Sequence, residues 1–218
     1  MIRRMQANLP NTYVLETAMA YEPDAERKVG ALAAAAGKTP EAFIYDHYAA
    51  GEGDAFNMTF SANYSDGNLD AIFAQLQQPN VISASGDGGA HVRMICDASL
   101  PTFQLAFWAR DRARGGTLPV ELIVHKLTGQ PAALYGLADR GTIEVGKRAD
   151  LNVIDHARLA LKPFHLKHDL PSGAGRILQR SEGYLATLVA GVVTRRDDTD
   201  TGARPGRLVR STQYAVAA

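Results

Sequence analysis

Cysteine is almost missing from this sequence, with one thiol, Cys96, in 218 residues. A lone thiol cannot close an intrachain disulfide, which excludes the small bridged secreted scaffolds and fits a reducing compartment. An excess of charge is missing too. The 23 Lys and Arg offset 23 Asp and Glu exactly in number, so no net field draws the chain to DNA, RNA or anionic lipid, and neither nucleic acid nor membrane is an expected partner. No apolar run approaches the roughly 18 residues of a membrane span. The richest, Leu185 to Val193, is short and broken by Thr187 and Gly191. Two arginines follow Met1 and Ile2 without the apolar segment of a secretory signal, so the expected location is cytoplasmic. Internal repeats and low-complexity tracts are also lacking. What is present is ordinary for a globular protein: 46% hydrophobic and 21% charged residues. The length allows one or two domains and a sizeable core.

Along the chain, helix and strand patterns alternate over the first hundred residues. Pro23-Asp24-Ala25-Glu26 opens a helix that runs through Ala36 and stops at Gly37. Thr39-Pro40-Glu41 opens a second, carrying Phe43, Ile44 and His47. A strand-like stretch covers Phe56 to Phe60, and Asn68 caps a third helix with Leu69, Ile72, Phe73 and Leu76 on one face. Val81 to Ser85 reads as a short buried parallel strand running into Gly86-Asp87-Gly88-Gly89-Ala90-His91. Helices resume after Pro101 and after Pro119. This order argues for an α/β fold with a parallel sheet or barrel.

From about Gly141 the character changes. Thr142 to Asp155 holds two strand runs around a Gly146-Lys147 turn, and Tyr184 to Thr194 two more meeting near Ala190-Gly191. Lys162 to Gln179 has loop composition. Two domains follow from this reading: residues 1–140, α/β, and residues 141–218, a β-rich accessory segment.

The sharpest local feature is the strand ending in Asp87, followed by two glycines and His91. In parallel sheets and barrels, function gathers at the carboxyl ends of strands, and glycines there let a ligand approach the backbone. A carboxylate so placed can ligate a metal, act as general base, or simply sit solvated in a turn. The stretch lacks the lysine and hydroxyl of a phosphate-binding loop, and the chain has no G-x-S-x-G nucleophile elbow. His47, His125 and the pair His165 and His168 read as packing or surface residues. Cys96 reads as a small packing residue, Phe107 and Trp108 as core, and the arginines of the tail as a solvated face.

Three blocks carry a resemblance: Asn63-Tyr64-Ser65-Asp66-Gly67; Val81 to His91; and Cys96-Asp97-Ala98-Ser99-Leu100-Pro101-Thr102-Phe103. Together with Gly146-Lys147-Arg148-Ala149-Asp150 and Asp169-Leu170-Pro171, they resemble the amidohydrolase superfamily, and within it the N-acyl-D-amino acid deacylases. The resemblance implies the last strands and helices of an incomplete (β/α)8 TIM-type barrel, followed by part of a small β-sandwich. It implies hydrolysis of a linear N-acyl amide by metal-activated water, with zinc as cofactor and a small N-acylated molecule as substrate. Asp87 falls where the family places an aspartate that binds metal and shuttles the proton of the attacking water. His91 and Tyr64 fall on the substrate side.

The departures are specific. The first-strand H-x-H pair is missing, since the histidines stand only at 47, 91, 125, 156, 165 and 168, and Gly86 replaces the serine usual before the aspartate. A catalytic zinc needs about three protein ligands, so one carboxylate cannot hold it. The expectation is therefore a carboxyl-terminal portion of a longer enzyme, inactive alone and not retaining zinc by itself. The alternative is a non-catalytic relative serving as an assembly or binding module, forming a homo-oligomer through uncovered strand edges and apolar faces.

Overall fold

The computed structural model describes residues 6–15, 19–51, 55–60, 62–83 and 86–209. The chain divides into two compact units, residues 1–74 and 75–218. The change of character near residue 141 falls inside the second.

The first unit holds β1 (Tyr13–Leu15), α1 (Val29–Ala35), α2 (Pro40–Ala49), β2 (Phe56–Met58) and the start of α3 (Asp70–Leu76). The helix expected from Pro23 is interrupted. Ala25–Arg27 forms one 3-10 turn, Lys28 is extended, and α1 begins only at Val29. Lys28 bridges to Tyr13, and the Val29 amide donates to the Thr12 carbonyl at 2.8 Å, so strand-type pairing takes the backbone groups a longer helix would need. α2 starts as expected, with Pro40 in its first turn and the Thr39 hydroxyl accepting from the Ala42 amide at 3.2 Å. β1 and β2 pair antiparallel. The core joins Val29 and Ala33, both fully buried, to an aromatic group in which Phe60 stacks on Tyr64 at 4.1 Å and Tyr13 meets Phe60 edge-on at 5.6 Å. Asn68 caps α3 by accepting from the Asp70 amide at 3.0 Å.

In the second unit α4 (Leu100–Phe103) continues into a π-helical segment, Gln104–Asp111, and is followed by α5 (Val120–Leu127) and α6 (Gly129–Leu134). Six strands follow: β3 (Leu151–Ile154), β4 (Ala160–Lys167), β5 (Arg176–Glu182), β6 (Tyr184–Val189), β7 (Val192–Arg196) and β8 (Thr199–Asp200). β3, β6, β7 and β8 form one sheet in that order, and β4 and β5 form a separate hairpin. Their pairings are antiparallel. The Ala190-Gly191 and Asp197-Asp198 turns place two successive residues at positive φ, the two-residue hairpin turn whose twist suits flanking strands. The hydrophobic face of the π-helical segment fills the core: Leu105, Ala106, Phe107 and Trp108 are all buried, as expected for the last two.

Expectations at three segments need correction: a strand at 81–85, a strand at 142–145 and a loop at 162–179. The parallel sheet is not seen among the described residues. Val81–Ser83 is not a strand, while residues 84 and 85 lie outside the described residues. One of its backbone pairing groups is taken, since Lys126 Nζ donates to the Val81 carbonyl at 2.5 Å, and the Ser83 side chain is drawn to Gln104, its hydroxyl donating to Oε1 at 2.6 Å. Thr142–Val145 also forms no strand, and Ile143 and Val145 are exposed. Conversely, Lys162 to Gln179 is largely strand, because a β-bulge between Leu161 and Phe164 accommodates Pro163. No helix among the described residues is long and apolar enough to cross a membrane.

Candidate active-site loop

Asp87 opens a turn closed by the Ala90 amide, which donates to the Asp87 carbonyl at 3.0 Å. Gly89 follows at φ +98°, and His91 sits at φ +44°. A left-handed non-glycine residue costs about 1–2 kcal/mol. Here the His91 carbonyl accepts from the Met94 and Ile95 amides, at 2.7 and 3.1 Å, which fixes it in place. Gly86 is required by its neighbour. A Cβ there would stand 2.5 Å from the Asp97 Cβ and 2.9 Å from the Asp97 carbonyl oxygen. The serine usual at this position in the resembling family therefore has no room.

The loop is moored to the β4–β5 hairpin. The Ile177 amide donates to the Val92 carbonyl at 2.8 Å, and the Ser99 hydroxyl donates to Gln179 Oε1 at 2.6 Å. The Cys96 thiol is pushed above its ordinary pKa, first by burial and then by the Asp97 charge, so it stays a protonated packing group as expected. Sequence reasoning missed Ile177 and Gln179, because nothing local in a strand announces a partner 80 residues away.

Of the expected site residues, Asp87 and His91 lie exposed on one turn of the second unit. Neither side chain has a hydrogen bond or ion pair among the described residues. Tyr64 lies in the first unit; it is buried, stacked on Phe60, and its hydroxyl donates to the Pro23 carbonyl at 2.9 Å. Asp97 is a carboxylate partner of the turn, its Oδ2 accepting from the Asp87 amide at a long 3.4 Å. Among the described residues no three His, Cys, Asp or Glu cluster as a metal site. Other histidines face backbone: His47 the Phe56 carbonyl, His156 the Leu105 carbonyl and His168 the Gly173 carbonyl. His165 lies on β4 opposite Leu178, and His125 is exposed in the last turn of α5. The donors present thus do not fit a catalytic metal by themselves.

Sequence reasoning also missed Lys126, only 1% exposed, which ties α5 to the Gln78 and Val81 carbonyls at 2.9 and 2.5 Å. Its signal was its place three residues after Ile123 on the buried face of an amphipathic helix. Asp150, in the Gly146–Asp150 block, proves to be a turn brace. Burial raises its pKa, but the Ala190 amide and Arg148 outweigh that and hold the carboxyl below its ordinary value. Ala190 N donates to Asp150 Oδ1 at 2.8 Å, and the Gly191 amide donates to the Ala149 carbonyl at 2.9 Å.

Residues 2–195 match the model of the amidohydrolase family. An uncharacterized protein of Mycobacterium tuberculosis (strain ATCC 25618 / H37Rv) is 29% identical over 208 residues, covering 88% of this chain and 33% of the relative. A D-aminoacylase of Alcaligenes xylosoxydans xylosoxydans is 33% identical over 152 residues, 65% of this chain and 29% of the relative. A solved D-aminoacylase mutant in complex with copper chloride superposes loosely, with a TM-score of 0.45 at 24% identity over 88% of this chain and 36% of that one. The chain thus spans about a third of the length of the curated relatives it matches. On the match that runs through most of its length, the chain belongs to the amidohydrolase family.

Proposed function

We propose that this chain is part of a metal-dependent hydrolase that cleaves a linear N-acyl amide, an N-acyl amino acid in particular, with Asp87 as its proton-carrying carboxylate. In this reading residues 1–140 contribute the last strands and helices of a (β/α)8 barrel, and residues 141–218 contribute part of a β-sandwich. The observation that carries the role of Asp87 is its setting: a glycine-framed turn, moored to the β4–β5 hairpin, whose carboxylate has no partner among the described residues. A carboxylate left free of ion pairs can take a proton from water and return it to a leaving amine. The D-aminoacylase relative supports the substrate class. His91, four residues on along the turn, is assigned to the substrate side.

Zinc is the cofactor this reading implies. The described residues offer Asp87 alone where about three ligands are needed, so the remaining donors come from outside these residues. The test is hydrolysis of N-acetyl-D- and N-acetyl-L-amino acids with added zinc. The chain alone is expected to give none. Coexpression with the amino-terminal part of the Alcaligenes D-aminoacylase is expected to restore turnover. Turnover by the chain alone would overturn the need for outside donors.

A further inference from the structure

A cavity of about 480 Å³ opens in the second unit, and its lining does not include Asp87 or His91. Its walls come from the β4–β5 hairpin and from the sheet of β6 and β7, with Lys162, Arg180 and Ser181 on the first and Arg195 and Asp198 on the second side. That volume lies within the roughly 300–1,000 Å³ of small-molecule sites.

Both walls are built around β-bulges. On β4 the register steps from Leu161 opposite Ser181 to Phe164 opposite Gln179, so Lys162 and Pro163 together face Arg180. On β7 it steps from Val193 opposite Leu188 to Arg195 opposite Thr187, leaving Thr194 as the extra residue. Bulges re-aim side chains and gather beside binding sites. All three cations of the cavity stand in or beside one of these two irregularities.

The cations are incompletely neutralised. Lys162 pairs with Glu182 at 2.9 Å. Arg195 donates to the Asp198 carbonyl. The carboxylate facing Arg195 across the sheet, Asp200, is hydrogen-bonded by Arg204 at 2.9 and 2.7 Å and by the Gly202 amide at 2.8 Å, and gives Arg195 only a longer-range share of its charge. Arg180 has no hydrogen bond or ion pair among the described residues, and neither has the Ser181 hydroxyl. Against these three cations the lining offers one carboxylate, Asp198. A guanidinium presents five N–H donors in a fork that fits an oxyanion.

We propose that this cavity binds a small organic dianion, with one oxyanion group on Arg180 and the other on Arg195. Positive charge supplied from two separate sheets suits a ligand charged at both ends, such as a dicarboxylate or a phosphorylated carboxylic acid. The inference is independent of the hydrolase reading.

The test is isothermal titration of the chain at low ionic strength with succinate, 3-phosphoglycerate, inorganic phosphate and acetate. Succinate, 3-phosphoglycerate or both are expected to bind saturably and at least about tenfold more tightly than acetate or inorganic phosphate; which one binds better identifies the second acidic group. Arg180→Gln and Arg195→Gln are each expected to weaken that binding about tenfold, the loss of a charge-assisted hydrogen bond. Asp198→Asn, which removes the opposing charge and keeps a residue tolerant of positive φ, is expected to tighten it, an outcome misfolding cannot imitate. Far-UV circular dichroism checks each variant. Absence of saturable binding by both dianions, equal binding of acetate or phosphate, or affinities unmoved by the three substitutions would overturn the proposal.

Discussion

Gly86 and Asp97 share a space too small for two side chains, and that one contact sets what the Asp87 turn can tolerate. A side chain at position 86 must push Asp97 aside, since the added Cβ would lie 2.5 Å from that residue's Cβ. Overpacking of this kind costs about 1–3 kcal/mol. Gly86→Ser is therefore expected to lower the denaturant midpoint of the chain by a measurable amount, and an unchanged midpoint would show that the turn shifts freely. Asp200 makes a pH-dependent contribution. Arg204 beside it, with the Gly202 amide, holds its carboxyl down to about 2 from an ordinary 3.8. A depressed carboxylate stabilises the fold above its unfolded pKa and loses that contribution as pH falls through the folded value. Melting temperature is thus expected to fall between about pH 4 and pH 2, and Arg204→Gln should flatten that part of the profile. Lys126 was hardest to read in advance, because its spacing from Ile123 marks a buried position but does not reveal the carbonyls that let a lysine occupy it.

At the scale of elements, local signals did well and pairing signals did poorly. The Thr39-Pro40 start, the Asn68 cap and the strands either side of Ala190-Gly191 were all legible, because each rests on residues within one turn of one another. The β4–β5 hairpin was hidden by Pro163, which only a bulge makes compatible with a strand. The Val81 segment looked like a strand by composition, yet its backbone and side chains are claimed by Lys126 and Gln104. Asp150 belongs to this scale too, since it braces the β6–β7 turn through the Ala190 amide. Solvent screens this exposed hydrogen bond, so removing it costs about 0.5–1.5 kcal/mol. Asp150→Ala should destabilise the second unit by that amount in urea, with faster amide exchange concentrated at Ala190 and Gly191. Exchange unchanged at those two amides would remove the brace from the account.

For the whole molecule, family membership was legible because it rests on blocks scattered over most of the chain, and the family match covers residues 2–195. A complete site was not, since the described residues contain no three-ligand cluster and the chain spans about a third of its relatives' length. Asp87 and His91 are brought onto one turn, as their spacing required, whereas Tyr64 is engaged in packing within the first unit. Under the proposed function Asp87, and not its neighbour Asp97, would handle the proton of the reaction. The most direct measurement is kcat for N-acyl amino acid hydrolysis in the coexpressed enzyme carrying Asp87→Asn or Asp97→Asn. General acid–base catalysis is worth about a hundredfold to ten-thousandfold, so Asp87→Asn should lower kcat at least that far while Asp97→Asn leaves most of it. Equal losses in the two variants, or full activity with asparagine at 87, would contradict the account.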